Sequence, residues 1–374
     1  MSENEKIYIY GAGTQNLRMV YQPLDAAGYH IAAIVDRDTE KIGKKIYGME
    51  IISPEQLIKD VQNEDDCEII ISVRTKKIVL EIQSWLIQNV KNAKVYTFEE
   101  FVCTKKLNCH LKKFSCVMWH LVDHCNLDCV RCSHFSPLDQ KRNFYLSTEI
   151  FEKEVSRLSE LTDKELGELQ FSGGETLLHP EAYQFPYIAR KWFPDTQIIF
   201  ITNGTRILAQ NDRFFQSCRE NQAQIWISHY PIGLDYEKIE KKLMREGVSF
   251  TAGNSGNDDK HPKQMWGVPF VLDGNLDGRK NFESCLCMQY MIRDGKMYPC
   301  PNAAYVDLFN NYFKKNLPGP ECNGVDIYEV ADLEELTTRL SQNIPLCDYC
   351  DALHRLEGIP WRVSKKEISE WTLK

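Results

Sequence analysis

The sequence has 374 residues, of which 43% are hydrophobic and 26% are charged, and its formal net charge is −8. This length predicts two or three domains, and this composition is typical of a globular protein rather than a disordered chain. The negative charge argues against a nucleic-acid-binding protein, and no stretch is apolar for long enough to cross a membrane. We therefore expect a small molecule or a peptide as the partner.

Cysteine usage indicates the compartment. Most of the 14 cysteines are grouped in spacings typical of metal sites, and no apolar secretory segment follows the N-terminal residues. Both features favour a reducing environment over disulfide formation. We expect a cytoplasmic protein that uses its cysteines as metal ligands.

Strand and helix patterns alternate along the first hundred residues. Such alternation predicts a parallel, doubly wound sheet over residues 1–114, that is, an α/β domain. Ser53-Pro54-Glu55-Gln56 predicts a helix start with an N-cap and a capping box. The predicted strands are 7–10, 31–35 and 68–73, and the predicted helices are 14–27 and 53–61.

The first strand is followed by a glycine turn, in which Gly11 and Gly13 precede a helix, and Asp36 ends the second strand. This arrangement is Rossmann-like, because glycines let the backbone approach phosphates and the acid can hold a ribose hydroxyl. Asn16 replaces the third glycine of that fingerprint. A nucleotide or nucleotide-sugar site, a structural or docking remnant, and an NAD-dependent redox site all remain open. Residues 9–57 resemble the nucleotide-sugar-binding domain at the front of some sugar-modifying enzymes.

Residues 101–115 break the alternation and predict a linker. Cys103 and Cys109 lie in it, the second next to His110. A metal role for them is the alternative to two inert cysteines.

The next segment crowds three cysteines into eight residues, directly after the apolar run 116–122: Cys125, Cys129 and Cys132. Three soft ligands without a fourth cysteine nearby favour an iron-sulfur cluster with one open iron over a closed zinc site. A zinc knuckle completed by His124 or His134 is the alternative.

Further strand and helix patterns follow this loop. Ser147 is the predicted N-cap of a helix whose apolar face contains Phe151, Val155, Leu158 and Leu161. With 117–122, the strand patterns make at least five βα units and predict a partial parallel barrel over residues 115–270, with ligands at the carboxyl ends of the strands. The later strands are predicted at 168–171, 197–201, 224–227 and 248–251.

Small or polar residues end three of these strands. The second strand is followed by Gly173-Gly174-Glu175, the third by Thr202-Asn203-Gly204, and the fourth by Ser228. Simple turns and a satisfied hydroxyl are the alternatives to a binding role.

The Cys-x3-Cys-x2-Cys spacing followed by Gly-Gly-Glu resembles the radical S-adenosylmethionine (SAM) superfamily. The resemblance implies a partial (βα)6 barrel in which the three cysteines hold a [4Fe-4S] cluster and SAM chelates its open iron. It also implies that Gly173 and Gly174 in the SAM-binding turn admit a close backbone approach and that Glu175 lies near the SAM amino group. Thr202, Asn203 and Ser228 are likewise implied to lie near SAM. The residue before the third cysteine is commonly aromatic in the family and lies near the adenine. Here it is Arg131, so either its guanidinium or the ring of Phe135 is expected to take that role.

The last hundred residues contain a second cysteine set: Cys285, Cys300, Cys347 and Cys350. Their spacing, with Gly295 between the first two, resembles the Twitch domain, which is related to the SPASM domain and holds an auxiliary [4Fe-4S] cluster. Residues 271–374 are expected to form this small domain. Cys287 is a rival ligand on the same predicted strand face, Asp294-Gly295 predicts a hairpin turn, and a zinc ribbon is the alternative.

Together these resemblances imply a radical SAM enzyme that cleaves SAM reductively to a 5′-deoxyadenosyl radical and takes hydrogen from its substrate. They also imply a flavodoxin- or ferredoxin-type electron donor. The front domain favours a sugar or nucleotide-linked sugar, which would be oxidised or epimerised. A peptide substrate, modified by thioether formation or epimerisation, is the alternative, and a non-catalytic metal-binding module is the second.

Overall fold

The structure is a computed structural model that describes residues 6–12, 17, 20, 21, 24, 25, 28–62, 67–73, 76–91, 93–105, 114–253, 264–285 and 289–373. It divides into two compact units, Met1–Lys112 and Lys113–Lys374. We call them the first and the second unit.

A six-stranded sheet forms the first unit, in the order β3-β4-β2-β1-β5-β6. All its strand pairs are parallel except the hairpin of β3 and β4. The first strand lies in the middle and the chain winds outward on both sides, which is the doubly wound order. The predicted doubly wound α/β sheet is thereby confirmed. The strands are β1 (Lys6–Tyr10), β2 (Ile31–Val35), β3 (Lys45–Ile46), β4 (Met49–Ile52), β5 (Cys67–Ile71) and β6 (Ala93–Thr97).

Three helices of this unit are described over their length: α1 (Pro54–Val61), α2 (Lys76–Asn89) and α3 (Phe98–Thr104). The oxygen of Ser53 accepts the N–H of Gln56 at 3.2 Å, so the predicted N-cap is confirmed. The other half of the capping box is wrong, because the Gln56 side chain donates to Asp60. In the predicted helix 14–27, the described residues 17, 20, 21, 24 and 25 are helical.

The predicted linker begins later than expected. Helix α3 extends through Thr104, and the side chain of Phe101 is fully buried in the first unit. An aromatic residue that packs in a core favours continued helix over an open connection. Cys109, His110 and the side chain of Cys103 lie outside the described residues.

The second unit contains an eight-stranded sheet in the order β11-β10-β9-β8-β7-β13-β14-β15. Strands β7 to β11 are parallel and adjacent in chain order. They are the five consecutive parallel strands that the strand patterns predict. The strands are β7 (Phe114–Val122), β8 (Leu166–Gly173), β9 (Gln197–Thr202), β10 (Gln224–Ser228), β11 (Phe250–Gly253), β12 (Gln264–Gly267), β13 (Tyr290–Arg293), β14 (Lys296–Tyr298), β15 (Val325–Asp326) and β16 (Leu356–Pro360).

Helices pack along both faces of this sheet. On one face, Val117, Trp119 and Leu121 of β7 lie in the same core cluster as the four predicted apolar residues of α4. On the other face, Met118 clusters with residues of α9. The helices are α4 (Thr148–Leu161), α5 (Phe185–Trp192), α6 (Asp212–Glu220), α7 (Tyr236–Arg245), α8 (Gly278–Ser284), α9 (Pro301–Phe313), α10 (Pro320–Asn323) and α11 (Leu333–Leu340).

The C-terminal region joins the same architecture rather than standing apart. Strand β13 pairs in parallel with β7, on the side opposite β8, and β12 pairs antiparallel with β16. The sheet therefore continues from the parallel strands into the last hundred residues. Among the described helices, none has both the length and the apolar character needed to cross a membrane.

Candidate functional site

Three thiols meet in the loop that follows β7. Cys125 and Cys129 are each 8% exposed, and Asp128 and Arg131 have left-handed backbone angles, φ 46° and 55°, which fold the loop back on itself. Burial raises the pKa of the Cys125 thiol, and charge on Cys129 and Cys132 raises it further. The three sulfurs are thus close enough to interact. We call residues 123–135 the three-cysteine loop.

The Gly173-Gly174 pair packs directly against the start of this loop. The N–H of Gly174 donates to the carbonyl of Val122 (2.9 Å), and the N–H of Glu175 donates to that of His124 (3.0 Å). A Cβ on Gly174 would lie 1.9 Å from the His124 oxygen, and one on Gly173 would lie 2.2 Å from the Val122 oxygen. The close backbone approach expected of the glycine pair is present, and its partner is the chain that leads into Cys125.

The Glu175 carboxylate connects the ends of two strands. It is 1% exposed and accepts hydrogen bonds from the Thr202 hydroxyl, the Leu177 N–H (3.1 Å) and the Asn203 N–H (2.8 Å). Burial raises the pKa of Glu175. In the structure Glu175 and Thr202 therefore hold the turn after β9 in position.

Asn203 lies at the thiols, as expected from its place after β9. Its amide donates to the Asn126 side chain at 2.9 Å and lies 3.9 Å from the Cys125 sulfur. Asn126 in turn donates to the Thr205 hydroxyl at 2.8 Å. The turn after β9 and the three-cysteine loop thus form one hydrogen-bonded unit.

Tyr230 is a site residue that the sequence did not reveal. It follows β10 by two residues, and Ser228 is the last residue of that strand. Burial raises the pKa of Tyr230 well above its ordinary value, and all three thiols raise it further; its hydroxyl shares a hydrogen bond with Cys129. Its position at the carboxyl end of a parallel strand is the one signal that would have suggested it.

The two residues expected near the adenine have different surroundings. Phe135 is 1% exposed, and its ring packs against those of Phe270, Phe309 and Trp371 at centroid distances of 6.0, 5.9 and 6.3 Å. The ring is therefore part of an aromatic core in this structure. Arg131 is half-buried, and burial lowers its pKa while Glu370 raises it.

His124 and His134 were the alternative fourth ligands for zinc. His134 donates from Nδ1 to the carbonyl of Gly173 at 3.0 Å, and burial lowers its pKa to about 3. His124 is 8% exposed. Among the residues that the structure describes, no three His, Cys, Asp or Glu side chains surround a point where one metal ion would sit.

The second cysteine set comes together from separate elements: Cys285 directly after α8, Cys300 at the N-cap of α9, and Cys347 and Cys350 around a short 3₁₀ turn. Burial raises the pKa of Cys300 to about 12, with further contributions from Cys285 and Cys347. Burial likewise raises the pKa of Cys350 well above its ordinary value, and the other three thiols add to it. The elements that carry them are in contact, since the Asn281 side chain of α8 donates to the carbonyl of Cys347 at 3.1 Å.

Two expectations about this region have clear outcomes. Asp294 and Gly295 have φ of 51° and 73° and join β13 to β14, so the predicted hairpin turn is confirmed. The strand predicted for Cys285 is wrong, because Cys285 follows a helix and the strand begins at Tyr290. Cys287 lies outside the described residues.

The glycine turn of the first unit is stabilised by its own neighbours. Gly11 has φ 118°, and a Cβ there would lie 2.5 Å from the Ser72 hydroxyl. The Asp36 carboxylate accepts the N–H groups of Ala12 (2.8 Å) and Asp38 (2.9 Å). Burial opposes ionisation, but these bonds outweigh it and lower the pKa of Asp36. Gly13 lies outside the described residues.

No protein family model and no curated protein matches the chain. Among solved structures, the chain is similar to BtrN in complex with AdoMet and 2-DOIA, with 18% identity, a TM-score of 0.40, and 64% of this chain and 93% of that chain covered. It is also similar to native anSMEcpe with bound AdoMet and Kp18Cys peptide, with 15% identity, a TM-score of 0.34, and 64% and 90% covered. A third similarity is to UDP-D-quinovosamine 4-dehydrogenase from Vibrio fischeri, with 21% identity, a TM-score of 0.21, and 27% and 86% covered.

Proposed function

We propose that the protein is a radical SAM enzyme with one auxiliary cluster. The observation that carries the proposal is the group of three cysteines, Cys125, Cys129 and Cys132, in one loop at the carboxyl end of a parallel strand, with the first two buried. Three thiolates fit a [4Fe-4S] cluster that keeps one iron open for SAM. When bound, this pair would supply a 5′-deoxyadenosyl radical that takes hydrogen from a substrate.

The chain's own residues prepare this place. The Gly173-Gly174 turn and the Asn203 amide fix the loop from two neighbouring strands, and Tyr230 closes it from a third. The burial of Cys125 and Cys129 limits the access of water to the sulfurs. AdoMet is present in two of the solved structures named above, BtrN and anSMEcpe.

The proposal assigns the second set of four thiols to a fully ligated auxiliary [4Fe-4S] cluster. Its support is that the elements carrying these cysteines are in contact, with Asn281 of α8 donating to the carbonyl of Cys347, and that nearby thiols raise the pKa values of Cys300, Cys347 and Cys350. A cluster without an open iron has no place for SAM, and its expected role is to accept an electron. This role favours a net oxidation of the substrate.

We propose a sugar or nucleotide-linked sugar as the substrate class. The support is the doubly wound sheet of the first unit, with Gly11 and Asp36 at neighbouring strand ends. Peptide modification is the second candidate function. It becomes the preferred one if the first unit binds no nucleotide.

The central test is anaerobic reconstitution followed by iron and sulfide analysis. The full chain is expected to hold about eight irons, and replacing Cys125, Cys129 and Cys132 together by Ala is expected to leave about four. Dithionite-reduced protein with SAM is expected to release 5′-deoxyadenosine, and the triple variant is not. Stoichiometric zinc without labile sulfide in the wild type would exclude the proposal and favour a metal-binding module.

The substrate class is tested separately by thermal shift with nucleotides and nucleotide sugars. A ligand at about 100 times its dissociation constant is expected to stabilise the protein by about 2.7 kcal/mol. Gly13→Trp is expected to abolish that shift and to leave SAM cleavage without substrate intact. If no nucleotide stabilises the wild type, or if the variant responds equally, a peptide becomes the preferred substrate.

A further inference from the structure

The three-cysteine loop is paired with the end of the chain. We call residues 361–373 the C-terminal tail. The N–H of Val130 donates to the carbonyl of Arg362 (2.9 Å), and the N–H of Ser364 donates to that of Asp128 (2.7 Å). These bonds flank Cys129 on both sides, so the tail follows the backbone of the loop at this ligand.

Further contacts fix the tail in place. The indole N–H of Trp371 donates to the carbonyl of Cys132 (3.1 Å), and the carbonyl of Trp371 accepts the N–H of Phe270 (2.7 Å). The Glu370 carboxylate is 4% exposed and binds the Arg362 guanidinium at 2.6 Å. The tail is therefore bonded near both of its ends.

Trp361 donates a hydrogen bond from its indole N–H to a cysteine sulfur. The distance from Nε1 to the Cys129 sulfur is 3.1 Å, and the Tyr230 ring packs against the Trp361 ring at 5.8 Å. An indole nitrogen can donate but cannot accept, so this contact has one direction. Cys129 therefore accepts a hydrogen bond from Trp361, and the Tyr230 ring lies beside that donor.

We propose that Trp361 is a positioning residue that sets the reduction potential of the cluster on the three-cysteine loop. The inference rests on the proposed function, because it needs a cluster on these thiols. Reduction of the cluster adds one electron, and this electron increases the negative charge on the ligand sulfurs. An N–H donor stabilises that charge, and hydrogen bonds to sulfur are one of the means by which proteins tune such clusters. Trp361 thus makes the cluster easier to reduce.

The test compares two tryptophans of the same tail in the full chain. Trp361→Phe keeps an aromatic ring and removes the donor to sulfur, whereas Trp371→Phe removes a donor to a backbone oxygen. Midpoint potentials are measured by anaerobic redox titration followed by electron paramagnetic resonance. The Trp361→Phe cluster is expected to have a more negative potential than the wild type. The Trp371→Phe cluster, and the auxiliary cluster in both variants, are expected to keep theirs.

The experiment stays decisive if a variant loads less iron, because the potential is a property of the loaded molecules. Trp361→His restores an N–H donor and is expected to recover part of the shift. An unchanged potential in Trp361→Phe overturns the inference. An equal shift in both Phe variants also overturns it, because it would report a loosened tail rather than a lost N–H bond to sulfur.

Failure of the inference and failure of the proposed function give different results. If the wild type carries no iron-sulfur cluster on the loop, the proposed function fails and the inference falls with it. If the wild type carries both clusters and Trp361→Phe leaves the potential unchanged, the inference alone fails.

Discussion

Each unit has a parallel sheet with a glycine turn at a strand end and an acidic side chain beside it. In the first unit Gly11 follows β1 and Asp36 follows β2; in the second, Gly174 and Glu175 follow β8. Each acid accepts backbone N–H groups, so each is bonded within its own sheet. The turns differ in burial, since Glu175 is 1% exposed while the Asp36 side chain is 14% exposed.

The two turns also differ in what other segments add. At the second turn the three-cysteine loop, the turn after β9 and Tyr230 converge within hydrogen-bond reach of one another. At the first turn, the described neighbours are Ser72 and Lys41, which bond to the turn and to the acid. A glycine turn with an acid is thus a structural device in both units. The side chains that neighbouring segments supply are therefore what distinguishes the two turns.

The largest expected effect comes from Gly174→Ala. The new Cβ would meet backbone, 1.9 Å from the His124 oxygen, so the three-cysteine loop must move. We expect a loss of more than about 4 kcal/mol in the free energy of unfolding, measured by urea denaturation, together with loss of iron from that loop. The matched control is Gly267→Ala, whose Cβ would be 3.9 Å from Arg131 and which should change stability by less than about 1 kcal/mol. Equal effects in the two variants would contradict the backbone contact.

Glu175→Gln is expected to lower the free energy of unfolding by about 3 kcal/mol, the second largest effect. The reason is that the NH2 group of Gln must face a buried N–H donor. Burial raises the folded-state pKa of Glu175 above its ordinary value. The contribution of Glu175 to the free energy of unfolding is therefore fully present below its unfolded-state pKa. It is lost as the pH rises through the folded-state pKa. The difference in unfolding free energy between wild type and variant should shrink from pH 4.5 to pH 8. A difference that grows with pH would mean that the folded pKa is lowered.

Short-range sequence patterns predicted much of this second turn. The three cysteines and the glycine pair each follow a recognisable strand, so the strand patterns predicted that both lie at the carboxyl edge of the sheet. Their joint role came from the family resemblance. Local patterns did not predict the side chains from distant segments that contact this loop. Trp361 lies 232 residues from Cys129 in the chain, and nothing in its local sequence signals that contact.

The wrong strand prediction at Cys285 also comes from relying on a local pattern. Two cysteines two residues apart fit a strand face, but the region before Cys285 is the helix α8, which a pattern of so few residues cannot exclude. Phe135 lies close to Cys132 in sequence, yet its ring is taken up by a core built from Phe270, Phe309 and Trp371. Tertiary packing decides whether a side chain near a site faces the site.

Gly11→Ala is expected to have a smaller effect and to lower the free energy of unfolding by about 2 kcal/mol. The residue has φ 118°, which side chains rarely adopt, and its Cβ would lie 2.5 Å from the Ser72 hydroxyl. Gly43→Ala is the control, since Gly43 has φ 81° with no atom within 4 Å of a new Cβ. It should lose about 1 kcal/mol from the backbone angle alone. Ser72→Ala should restore part of the stability of Gly11→Ala; if it does not, the contact with Ser72 is not the cause.

The smallest effect is expected for Asp36→Asn, at no more than about 1 kcal/mol near neutral pH, because the carboxylate is partly exposed and solvent screens its charge. Burial opposes ionisation, but the N–H groups of Asp38 and Ala12, followed by Lys41, outweigh it and lower the pKa of Asp36. A lowered pKa gives stability above the unfolded pKa that is lost as pH falls through the folded value. The wild type should therefore lose its advantage over Asp36→Asn only in acid, below about pH 4. This dependence has the opposite sign to that of Glu175.

The stability difference between wild type and Asp36→Asn is measured within the first unit by hydrogen exchange of peptides from β1 and β2 across that pH range. If the wild type stays more stable at the lowest pH, the bonds of the Asp36 carboxylate do not hold the turn.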